Sequence, residues 1–205
     1  MMGARNFLRR VGRDEEGVTI VEFAILLLPF LIIVMGGLEL GYKSYVRAIA
    51  QGAMSDAARR ASVQSPTFNA SGDALEERIE NSIAAQLDTV AIDGDYDISQ
   101  RRYFDFSDVG NPERIMRDNN GNGQYDASDN DCFEDFNQNG DFDLDAGSAG
   151  IAGASDVVFY EVMVELPRLF PFAFLGQDIH RLTLQTAIRN QPYANQPTPP
   201  TLCGV

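Results

Sequence analysis

The run Val18 to Leu38, VTIVEFAILLLPFLIIVMGGL, constrains this chain more than any other feature. Its 21 residues match the roughly 20 that an α-helix needs to cross the hydrocarbon core of a bilayer, so the run predicts a membrane-spanning helix. Arg5, Arg9, Arg10 and Arg13 precede it, and only scattered charge follows. The positive-inside tendency therefore puts residues 1–17 in the cytoplasm as a basic leader and exports everything after residue 40. A cleaved secretory signal would have a shorter apolar stretch with an A-x-A site close behind, and no such site follows directly.

Helical periodicity does not stop at the membrane. Tyr42, Tyr45, Val46, Ile49, Ala53, Ala57 and Ala61 recur at three or four residues, which predicts one long helix leaving the span at 18–40. Gly36, Gly37 and Gly41 weaken it locally, and Pro66 is the expected stop. Glu22 breaks the logic of a plain anchor, because an unpaired carboxylate near the bilayer centre costs about 2.5 kcal/mol or more. Two readings stand: a functional charge, or a residue near enough to the cytoplasmic interface for water and headgroups to reduce the penalty.

The local string EEGVTIVEFA places Gly17 ahead of Val18, with Glu22 and Phe23 five and six residues on. A glycine, four residues, then Glu-Phe resembles the processing site of class III prepilins. The stretch GVTIVEFAILLLPFLIIVMGGLELG is similar to the N-terminal region of TadE-like proteins of tight-adherence (Flp-type) pilus systems. The resemblance implies a minor pilin or pseudopilin, cut by a prepilin peptidase between Gly17 and Val18 and partnered by other pilus-assembly subunits in a bacterial inner membrane. It covers about residues 14–63 well and returns weakly in VVFYEVMVELP and LTLQTAIRNQP. In a helical stack, Glu22 would pair with the freed α-amino group of a neighbour, which offsets the cost of burying it.

With 205 residues, the chain has room for one modest exported domain, taken as 41–190. Leu75, Ile79, Ile83 and Leu87 predict a second helix over 71–87, with Ser71 or Asp73 as its cap. Alternation at Val158 to Leu166 and at Leu182 to Ile188 predicts two half-buried strands. Further strands are expected at 90–98 and 101–106, giving an α+β fold in which the long helix packs on a small antiparallel sheet. The Pro-rich tail 191–205 reads as extended.

An acidic insert, 105–150, interrupts this pattern. DNNGNGQYDASD sets Asp118, Asn120, Asn122, Gln124 (through its carbonyl), Asp126 and Asp129 at the spacing of an EF-hand loop, with Gly123 at the bend. A second copy starts 17 residues later, with Asp135, Asn137, Asn139, Gly140, Asp141 and Asp143 in matching places. Position 12 is Ala146, for which Asp145 is the substitute considered, and the flanking helices of an EF-hand are missing. The donors point to structural calcium held at about 0.1–1 mM, set against a solvated acidic loop. Cys132, between the loops, and Cys203, in the tail, permit one disulfide or two free thiols.

The net charge of −14 argues against nucleic acid as a partner. His180 is the single histidine and reads as a surface or capping residue. With no GxxxxGK[ST], GxSxG, HExxH or CxxC motif, no catalytic residues are expected. The reading is a non-enzymatic structural subunit, against a bitopic envelope protein that is never processed and whose exported domain binds calcium or another ligand.

Overall fold

The computed structural model describes residues 16–170 and 179–204. Most of the basic leader, with its four arginines, lies outside the described residues. Helix α1 runs unbroken over Glu16–Ala61, 46 residues, through Pro29. A proline is tolerated there because its missing hydrogen bond can be re-satisfied locally in a membrane helix. The helix ends at Ala61, ahead of Pro66: Ser62 donates from its N–H to the Ala58 carbonyl and from its hydroxyl to that of Arg59. Arg59 and Arg60 in the last turn also suit the negative end of the helix dipole.

Two environments share this helix. From Thr19 to Leu38 no residue is buried, and the first buried one is Glu39. Beyond it, Val46, Ala50, Ala53, Met54 and Ala57 form a buried stripe at helical spacing. The alanines have no bulk beyond Cβ, so the helix axis lies close to the sheet.

Helix α2, Leu75–Leu87, presses Ile79, Ile83 and Leu87 into the same core. It starts later than the expected 71, and neither Ser71 nor Asp73 caps it: the N-cap is Ala74, without a side-chain bond. Glu77 reaches back to accept from the Asp73 N–H at 2.9 Å, and Asn81 holds the Ser71 carbonyl at 2.8 Å.

The main sheet is antiparallel, order β4-β1-β5-β6, from β1 Asp95–Tyr103, β4 Ser148–Ala149, β5 Val157–Pro167 and β6 Ile179–Arg189. The strands expected at 90–98 and 101–106 are one strand, β1, paired along its whole length with β5. β5 and β6 pair from Val157↔Arg189 to Pro167↔Ile179. Val158, Tyr160, Val162, Val164 and Leu166 face the helices, joined by Leu182 and Leu184. At roughly 1.5–3 kcal/mol per buried aliphatic or aromatic side chain, this shared face is the main stabilising feature of the domain.

The insert is folded. β2 Ile115–Arg117, β3 Cys132–Glu134 and β7 Thr201–Cys203 make a second antiparallel sheet, order β2-β3-β7. The tail is thus partly a strand, and a disulfide joins Cys132 to Cys203, which are also register partners. Arg101 of β1 ties the insert to the main sheet through the Asp145 carboxylate and the Gly147 carbonyl.

Candidate functional site

Three places in the fold hold polar groups in unusual settings. The first is the bare part of α1. Gly17 and Val18 lie in its first turn, with Glu22 and Phe23 one turn on; Phe23 is 63% exposed. Glu22 is exposed and makes no hydrogen bond or ion pair with any described residue. A helix of this length and apolarity can cross a membrane.

The second place was not legible as a site. Glu39 is 8% exposed at the point where α1 meets the domain. Its Oε1 lies 2.7 Å from His180 Nε2, and its Oε2 accepts from the N–H groups of Leu169 and Phe170 at 3.1 and 3.3 Å. His180, expected at the surface, is the side-chain partner of this carboxylate at the start of β6. One carboxylate therefore fastens both arms of the β5–β6 hairpin to the helix. The signal available was a carboxylate just past the apolar run together with a lone histidine, but their pairing spans 141 residues.

The third is the pair of acidic loops, which are built alike. In each, the first aspartate accepts from the glycine N–H at position 6, Asp118 from Gly123 at 2.7 Å and Asp135 from Gly140 at 2.9 Å. Both glycines have positive φ, 76° and 91°, a region costly for other residues. The position-3 amide oxygens accept from position 5 (Asn120 from Asn122, Asn137 from Asn139), and those at position 5 from position 7 (Asn122 from Gln124, Asn139 from Asp141). Backbone N–H groups around Asp118, led by that of Gly123 and followed by that of Gly121, lower its carboxyl from the ordinary range; the Ser128 hydroxyl does the same for Asp126.

A further match lies behind each loop, where a buried carboxylate bridges the N–H groups of positions 2 and 9. Asp131 accepts from Asn119 at 2.8 Å and Asp126 at 3.0 Å; Glu113 accepts from Phe136 at 2.8 Å and Asp143 at 3.1 Å. Both are nearly inaccessible, and burial pushes the Glu113 carboxyl up despite its backbone donors. The position-8 aromatics, Tyr125 and Phe142, stack at 4.7 Å, and Phe133 meets both edge-on. The two loops therefore form one pseudo-symmetric unit around an aromatic centre.

The donors fit calcium only in part. The side chains are rich in oxygen, and in the second loop positions 3, 5 and 9 converge, with Asp143 Oδ2 at 2.7 Å from Asn137 and 2.6 Å from Asn139. The groups offered there are amide nitrogens, and Asn120 likewise donates to Asp129. Among the described residues no three acidic, histidine or cysteine side chains come together as a metal site. Asp145, considered for position 12, accepts from Arg101 and from the Gly147 N–H.

Fold and site together define an α+β protein with, among the described residues, one candidate membrane helix that continues into the core of a sheet domain. Within its long helix, residues 17–59 match the model of the TadE-like protein family. The match covers the bare helix and most of its buried continuation, and not the sheets or the insert. No curated protein and no solved structure matches the chain.

Proposed function

We propose that this chain is a structural or assembly subunit of a tight-adherence pilus or related secretion apparatus, a minor pilin or pseudopilin rather than an enzyme. The observation that carries the reading is the division of α1 within the TadE-like match: a bare apolar part presenting Glu22, then a part sealed into a folded domain. On this reading the anchor sits in a bacterial inner membrane, with the N-terminus cytoplasmic and the domain outside. Prepilin peptidase cuts between Gly17 and Val18, so that Glu22 becomes the fifth residue and pairs with the α-amino group of a neighbouring subunit.

The insert is read as calcium-stabilised. Two loops of one construction support this, with oxygen side chains at positions 1, 3, 5 and 9. The missing position-12 glutamate would leave affinity near the millimolar end. A processed subunit starts at Val18 when extracted from native membranes, and keeps its leader in a host lacking the peptidase. An unprocessed start in both hosts would instead favour a permanently anchored envelope protein whose double loop is the functional part.

A further inference from the structure

From Thr19 onward, Glu39 is the first buried residue of α1, and it follows Leu38, the last residue of the apolar run. From Thr19 to Leu38 an α-helix rises about 30 Å, the thickness of the hydrocarbon core, so Glu39 stands at the outer boundary of that core. A carboxylate there is costly unless covered. It is covered by His180 and by the N–H groups of Leu169 and Phe170. Those bonds place the residues entering the hairpin connection at the height of the membrane boundary.

Connections between antiparallel strands in water are ordinarily polar. This one, residues 168–178, reads RLFPFAFLGQD, an uncharged run LFPFAFL set between Arg168 and Asp178. Leu169 is 37% exposed, and on α1 the neighbouring Leu38 and Leu40 are 55% and 66% exposed. Exposed leucines thus flank Glu39 on α1, and another follows on the hairpin segment that Glu39 binds.

We propose that the β5–β6 hairpin makes a second membrane contact, Leu169 and Phe170 seating in the boundary layer of the outer face while Glu39 holds them at that depth. The proposal rests on the reading of Thr19–Leu38 as a span. Its ligand is the lipid itself, at the junction of acyl chain and headgroup. The domain would then be held at two points, which fixes its tilt on the membrane.

The chain has no tryptophan, so single tryptophans can report depth. The full chain is reconstituted in phosphatidylcholine vesicles brominated high on the acyl chain, carrying Phe30→Trp, Leu169→Trp, Phe170→Trp or Met163→Trp. Met163 faces outward on β5, six residues before Leu169 and so about 20 Å away along an extended strand. The expected result is strong quenching at positions 30, 169 and 170, with little at 163. Positions 169 and 170 as unquenched as 163, with 30 quenched, would overturn the hairpin contact and leave the anchor standing. An unquenched position 30 would overturn the span and the hairpin contact together. Equal quenching at 163 would overturn a contact confined to the hairpin.

Discussion

Asp131→Asn tests whether a buried carboxylate organises the first acidic loop. Asp131 is fully inaccessible and accepts from the N–H groups of Asn119 and Asp126 at 2.8 and 3.0 Å. A hydrogen bond to a charged acceptor contributes about 1.5–3 kcal/mol, and a buried donor left unpaired costs about 1–3 kcal/mol. Asparagine is nearly isosteric but offers one acceptor oxygen, so one backbone N–H is left facing an amide NH2. The expected loss is about 2–4 kcal/mol for local opening, which converts to exchange roughly 30- to 700-fold faster at the affected amides. Hydrogen exchange on the full chain in detergent, read at Asn119 and Asp126, measures it. Unchanged protection at both amides would refute the clamp.

The Cys132–Cys203 disulfide closes a separation of 71 residues, worth up to about 4 kcal/mol by chain entropy. Maleimide labelling of denatured protein should find no thiol before reduction and two after it, and two before reduction would refute the bond. Burial raises the Glu113 carboxyl above its ordinary value of 4.5, so the folded state holds that proton more tightly than the unfolded chain. The resulting stability is complete below that ordinary value and is lost as pH rises through the higher folded one. Glu113→Gln should remove this decline from melts stepped from about pH 4 to 7, whereas curves parallel to the parent's would refute it. Calcium at ten times its Kd should add about 1.4 kcal/mol per loop, and EDTA should reverse the gain; a Tm indifferent to both would exclude the ion.

What the sequence made legible follows the reach of its signals. The course of α1 was readable because seven apolar or small residues from Tyr42 to Ala61 keep helical spacing for five turns. β5 and β6 were readable because strict alternation admits one buried face. β1 was split in two because Asp95, Asp97, Arg101 and Arg102 obscure its period, while its partner β5 lies more than fifty residues downstream. β2, β3 and β7, three residues each, are too short to show any period and exist because they pair with one another. Asp118 and Asp135 could be placed in their loops by spacing, but Asp131 and Glu113 could not, since neither occupies a motif position. Glu39 and His180 look unrelated until the hairpin is folded back onto the helix.

The pairing of β7 with β3 sets an order of events. The acidic loops precede Thr201–Cys203 by more than fifty residues, yet β3 has no β7 beside it and Cys132 no disulfide partner until Thr201–Cys203 are in place. The second sheet is therefore the part of the fold that closes last as the chain emerges in order, and oxidation of Cys132 reports that residues 201–203 have docked on β3.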